Sequence, residues 1–272
     1  MMIASESRQT QAIKSKIESG VTFHWAKLKP SQVLPAMILF GGDPHGDFKP
    51  IIQAVEAYAP QAVVLLGDFD LERSLEKELI AIIDHTEVWF IPGNHDGDRD
   101  CWYDRLFRSE LGDRNLHGRV VEIDGKRVAG LGGVFREKIW MPPANPRFRT
   151  HQDLLSACSK KDRWREGIPR KHHVTIFWQT YNALRKERAD ILVTHEAPSC
   201  HRYGFKQLDY LAKALRVNTI VHGHHHEQYS RSIYGNKIKV HGVGKAGVSD
   251  EDGNVLVPGK QEEQRRIRWY RS

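Results

Sequence analysis

Cysteine is scarce: Cys101, Cys158 and Cys200 are the only three in 272 residues, and no two form a CxxC pair. That excludes a disulfide framework and a thiolate zinc cluster, and it fits reduced thiols in a cytoplasmic protein. No apolar run approaches the roughly 20 residues that a membrane helix needs, so no membrane partner is expected. The N-terminal stretch MMIASESRQTQAIKSKIESG is polar, mixed in charge and without the apolar core of a secretory signal. Internal repeats and low-complexity segments are missing too, which removes solenoids and disordered tracts from the choices. Acidic residues fall short of basic ones, 34 against 41, leaving a net charge of +7.

What is present is the composition of a soluble globular protein, 40% hydrophobic and 28% charged. The length suits one large domain with a full core. Between residues 135 and 190 there are 13 Lys and Arg against 6 Asp and Glu, a surplus of 7 that equals the whole excess. Such a field attracts phosphorylated molecules or nucleic acid, although a solvated basic face has the same composition.

Short continuous apolar runs recur, each broken by a polar cluster. AMILFG (36–41) runs into Gly42-Asp43-Pro44-His45, AVVLL (62–66) into Gly67-Asp68, and EVWFI (87–91) into Pro92-Gly93-Asn94-His95-Asp96. Runs of this kind are strands buried on both faces. Between them, Ile51, Ile52, Val55 and Tyr58 mark one helix, and Leu71, Leu75, Leu79 and Ile82 another with Asp70 as its N-cap. Strand and helix in alternation imply parallel strands joined by right-handed crossovers. All three clusters then share the carboxyl edge of one sheet, where open α/β sheets bind ligands. Later, ILVT (191–194) ends in His195-Glu196 and TIVH (219–222) in Gly223-His224-His225-His226, with a helix stripe from Phe205 to Leu215 between them. Hairpins are expected around Asp124-Gly125 and Gly235-Asn236. Residues 1–34 are taken as an N-terminal arm with a short edge strand at 21–29. Residues 35–260 form the domain, its basic and largely helical insertion at about 135–190, and 261–272 a charged tail.

In this order the strand-end clusters, DPH, GD, GNHD, H and GHHH, resemble the calcineurin-like metallophosphoesterase family over residues 43–226. The resemblance implies a four-layer α/β/β/α sandwich with two central mixed sheets. It also implies two divalent metal ions, Mn, Fe, Zn or Co with Mn favoured. Carboxylate, imidazole and amide donors without a thiolate suit such ions. Carried over position by position, Asp43, His45 and His226 would hold one ion and Asn94, His195 and His224 the other, with Asp68 bridging them at about 3.5–4 Å. A phosphate ester would be hydrolysed by a hydroxide shared between the metals. His95 would be the general acid and Asp96 the carboxylate that orients its imidazole. His225 would face away, because neighbours on a strand point to opposite sides.

Phe69-Asp70-Leu71 stands where the protein serine/threonine phosphatase branch carries GDxVDRG. The resemblance is therefore to the bacterial-type branch, with a phosphorylated small molecule, a nucleotide or a nucleic acid as substrate. Arg99 and Lys245 are further candidates for phosphate contact, against the alternative of solvated surface charges. His172 and His173 read as surface residues and His222 as a core histidine. The insertion interleaves its charge with Phe135, Trp140, Phe148, Trp164, Phe177, Trp178 and Tyr181. That pattern serves a nuclease or nucleotide phosphodiesterase if the rings are exposed, and a subdomain core if they are buried. A binding protein on the same fold is the reading of another class.

Overall fold

A computed structural model describes residues 37–260. The N-terminal arm with its edge strand at 21–29, and the tail 261–272, lie outside the described residues.

The three apolar runs form β1 (Ile38–Gly41), β2 (Ala62–Leu65) and β3 (Glu87–Phe90), paired in parallel. Helix α1 (Lys49–Tyr58) makes the first crossover, with Pro50 in its first turn, where no backbone N–H is needed. The second crossover is mostly turns. Its helix α2 spans only Leu75–Glu78 and follows Ser74 rather than Asp70. Leu71, Leu75, Leu79 and Ile82 are all buried as the spacing predicts, but the chain reaches the core with turns instead of a continuous helix. Asp70 has a left-handed backbone, φ 49°, and its side chain is engaged elsewhere. Helix α3 (Asp100–Phe107) follows the third cluster.

The hairpin β4 (Val120–Ile123) and β5 (Lys126–Leu131) opens the second sheet, which continues in parallel through β6 (Ile191–Thr194) and β7 (Thr219–His222). β8 (Tyr229–Ile233) and β9 (Ile238–Gly242) form the second hairpin, and β9 lies parallel to β7. β10 (Val248–Asp250) then returns antiparallel to β1, and β11 (Val255–Val257) pairs with it. The orders are β11-β10-β1-β2-β3 and β4-β5-β6-β7-β9-β8, two mixed sheets.

Side-chain alternation explains the layers. Ile38, Phe40, Val64 and Ile91 of the first sheet meet Val128, Val193, Val221 and Val243 of the second in one cluster. Leu39, Val63, Leu65 and Phe90 point the other way, onto α1, α2 and α3. On the far side, Leu131, Leu192, Ile220 and Val240 pack against Leu208, Leu211 and Leu215 of α6 (Lys206–Leu215). The result is helix, sheet, sheet, helix, as the resemblance implies.

The segment 135–190 is less helical than expected. It holds two seven-residue helices, α4 (His151–Ala157) and α5 (Trp178–Leu184), and two 3-10 turns among loops. Its aromatics are mostly core: Phe135, Trp140, Phe177 and Tyr181 are buried against the second sheet. Burying a ring removes far more apolar area than a loop can otherwise offer, so these rings are not free to stack on bases. His172 is buried as well, beside Thr175 Oγ1, rather than on the surface. All three cysteines are unpaired. No helix among the described residues is long and apolar enough to cross a membrane.

Candidate metal centre

Five strand ends converge where the carboxyl edges of the two sheets meet. β1 delivers Asp43 and His45, β2 Asp68, β3 Asn94, β6 His195, and β7 His224 and His226. Glycine makes the approach feasible. A Cβ on Gly67, whose φ is +101°, would sit 2.4 Å from Gly93 N, and one on Gly93 would sit 2.1 Å from Asp68 Oδ1. Only hydrogen fits at these two crossing points.

The distances bring all seven expected ligands together. His226 Nε2 lies 3.3 Å from Asp43 Oδ2 and 3.1 Å from His45 Nε2, which is 3.9 Å from Asp68 Oδ2. Against the same Asp68 oxygen, His195 Nε2 lies 3.4 Å from Oδ2 and 3.1 Å from Asn94 Oδ1. Ligand atoms of Asp68, His195 and His224 all lie within 4.8 Å of one another. Asp68 is thus the carboxylate common to both groups. Its Oδ1 accepts the His95 amide at 2.8 Å, and Asp43 Oδ2 accepts the His224 amide at 2.6 Å.

The donors fit cations. His195 Nδ1 is 2.7 Å from the Leu66 carbonyl, an acceptor only, so Nδ1 carries a proton and Nε2, facing Asp68 and Asn94, is the atom left for a cation. His45 Nδ1 lies 2.9 Å from Asp70 Oδ2, which turns its Nε2 lone pair toward His226. Asp43 Oδ1 is buried with no hydrogen-bond partner. Lone pairs facing lone pairs in a buried site call for positive charge. The electrostatics of these groups carry the same tension. Burial pushes the Asp43 carboxyl up to about 7, with the Asp68 charge adding to the rise, while His195 opposes it. Burial raises Asp68 too, but the charge and hydrogen bond of His195 hold it below the ordinary range. Burial works against a charged His195, yet Asp68 and Asp43 lift it to about 10.

The remaining candidates divide. His95 sits beside His45, ring centroids 5.4 Å apart, and is 45% exposed, at the mouth of the site. Asp96 does not touch its imidazole. It is buried and accepts the backbone N–H groups of Gly93 at 2.7 Å, Phe69 at 2.9 Å and Asp68 at 3.1 Å. The carboxylate on His95 is Asp98, with Oδ2 2.8 Å from Nδ1. A short 3-10 turn over His95–Gly97 separates the two roles: it brings position 98 round to the ring and sends position 96 inward. Asp70 and Asp98 are therefore the carboxylates on the His45 and His95 rings that the motif reading missed. Each follows a motif by two residues, and nothing local distinguishes it from a solvated acid.

Arg99 is exposed and lies over the Trp102 ring at 4.5 Å. Lys245 is better placed. The next residue, Ala246, donates its amide to the Asp43 carbonyl at 3.1 Å, and the lysine charge bears on His45 and His226. His225 turns from the Asp43–Asp68 groups and stacks on His201 at 4.1 Å, although it stays close to His224 and Glu196. His222 is the expected core histidine, bonded to Tyr229 Oη at 2.5 Å.

Comparisons with known proteins agree with this fold. The sequence profile of the calcineurin-like phosphoesterase family matches residues 36–228. An uncharacterized protein of Haemophilus influenzae is 41% identical over 222 residues, 81% of this chain and 96% of that one. The crystal structure of TT1561 of Thermus thermophilus superposes with a TM-score of 0.54 at 15% identity, over 82% of this chain and 98% of that one, which supports the fold. The chain belongs to the calcineurin-like phosphoesterase family, hydrolases of phosphoester bonds that generally use divalent metal ions.

Proposed function

We propose that the chain hydrolyses a phosphate ester at a centre for two divalent cations. Asp43, His45, Asp68 and His226 would hold one, and Asp68, Asn94, His195 and His224 the other. Bound there, such ions would polarise phosphoryl oxygens and lower the pKa of water to generate the nucleophile. The protein's own part is to fix the donors and to manage the leaving group. The Nδ1–H of His195 is tied to Leu66 O, and the His45 ring to Asp70, so each presents a fixed lone pair. His95, its Nδ1 against Asp98, keeps Nε2 for the oxygen of the departing alcohol, to which it gives a proton. Asp98 orients the ring.

The observation that carries this reading is the convergence of seven oxygen and nitrogen donors from five strand ends, with Asp43 Oδ1 buried among them without a partner. Imidazole with carboxylate and amide oxygens suits manganese, iron, zinc or cobalt, and manganese is kept as the favoured ion for the test. The test is steady-state hydrolysis of 4-nitrophenyl phosphate and bis(4-nitrophenyl) phosphate by manganese-loaded protein. Turnover that Asp68→Ala removes supports the proposal, and loaded wild-type protein inert toward both esters overturns it. A binding protein without catalysis has less support, because no ligand position and no acid is missing from the set.

A further inference from the structure

Arg136 carries a charge that neither the fold nor the proposed proton transfer uses. It follows Phe135, whose amide donates to Glu196 Oε1 at 3.1 Å, one residue beyond His195. Its Nε donates to Thr175 Oγ1 at 3.1 Å, and that hydroxyl is anchored in turn by donating to the Lys171 carbonyl at 3.0 Å. One nitrogen therefore aims the half-buried side chain. The two terminal nitrogens make no hydrogen bond or ion pair among the described residues. The acidic charges that the guanidinium feels are Asp98, Glu196 and Asp68: the carboxylate on His95, the neighbour of His195, and the shared ligand.

Other arginines of the same segment are committed elsewhere. Arg165 grips Asp104 with both terminal nitrogens at 2.6 and 2.7 Å. Arg170 pairs with Asp100 and donates to the carbonyls of Gly97 and Asp98. Arg136 is the member of this group whose planar fork is left open beside the metal centre. Holding a cation partly out of water without a paired carboxylate is costly, and a fork of N–H donors matches two oxygens of a phosphate.

We propose that Arg136 binds the phosphoryl group of the substrate through its terminal nitrogens, and that this contact makes the site favour phosphomonoesters over phosphodiesters. The inference rests on the phosphoesterase reading above. A monoester dianion has three terminal oxygens and a diester has two. When two oxygens face the seven-donor centre, a monoester still has a charged one for the guanidinium, whereas a diester presents an uncharged ester group there.

The test combines calorimetric titration of manganese-loaded protein with inorganic phosphate and kinetics on the two nitrophenyl esters. Arg136→Ala is expected to weaken phosphate binding about tenfold or more, the scale of a lost charge-assisted contact. Arg136→Lys should recover part of it, and Lys160→Ala, an exposed charge elsewhere in the segment, should match wild type. On the esters, Arg136→Ala should lower kcat/KM for the monoester at least about tenfold more than for the diester. Unchanged phosphate affinity, or equal losses on both esters, would overturn the inference. If Arg136→Ala does not retain manganese, Arg136→Lys decides by the same two readouts. If wild-type protein hydrolyses neither ester, the phosphoesterase reading fails on its own, and the phosphate titration still decides whether Arg136 binds the anion.

Discussion

Asp96 accepts three backbone N–H groups with its two buried oxygens, and those donors belong to the strand-end loops of β2 and β3. Burial and the nearby Asp68 charge push its carboxyl up, while the Phe69 and Gly93 amides and the His195 charge favour the ionised form. Its role is to knit the loops that carry Asp68 and Asn94. Asp98, 48% exposed, bonds only the His95 ring among the side chains of the described residues. The two residues should therefore separate by experiment. Asp96→Ala strands buried donors at about 1–3 kcal/mol each, so the melting temperature should fall by about 6 °C or more. Asp98→Asn should leave the melt within about 2 °C, as exposed substitutions do, yet lower kcat about tenfold or more, as lost partners of functional histidines do. A melt lowered by Asp98→Asn, or unchanged by Asp96→Ala, would reverse the assignment.

At the scale of elements, the strand ends are where the fold is both tightest and most strained. Asp43, His45, Asp68, Asp70, His224 and His226 all have φ between 23° and 70°, a region that costs a non-glycine residue on the order of 1 kcal/mol. The loops hold these conformations because they are pinned at their crossing points. Gly93→Ala would force a methyl into the Asp68 carboxylate. It should lower bound manganese in metal analysis to less than about half of wild type and cut the melting temperature by several degrees, the class of damage that close backbone approach predicts. Normal metal content in a well-folded Gly93→Ala protein would show that the crossing is looser than drawn. The same elements explain what the sequence could reveal. A continuous apolar run that stops at Gly and a cluster of polar residues is a strong local signal, and β1, β2, β3, β6 and β7 were legible from it, whereas the seven donors at their ends were named through the family resemblance. The extent of α2 was not, because periodic leucines mark burial whether a helix or a series of turns delivers them. Asp98 was missed for another reason: one 3-10 turn decides between it and Asp96. Arg136 was hidden further still, since its place depends on a loop returning to Thr175 and on Phe135 reaching Glu196.

Across the whole molecule, the centre lies at the seam between two sheets that otherwise meet through apolar side chains. Asp43, His45, Asp68 and Asn94 come from the first sheet, and His195, His224 and His226 from the second. Without cations this seam holds two buried carboxylates and an imidazole that each shift away from their ordinary titration ranges. Cations that satisfy both halves at once should act as a clasp between the sheets as well as a catalytic device. A ligand that binds only the folded state, present at a thousand times its dissociation constant, adds about 4 kcal/mol of stability. For a domain of this size that is a rise of roughly 8–16 °C in melting temperature. Manganese added to chelator-treated protein should produce a shift of that order, and magnesium much less, because imidazole donors suit the transition metal better. The decisive comparison is with single substitutions on either side of the seam. Asp43→Asn and His195→Ala should each remove most of the manganese shift, although they come from different sheets. If only one of them does so, the metal is held by one sheet alone, and the seam is tied by its apolar packing.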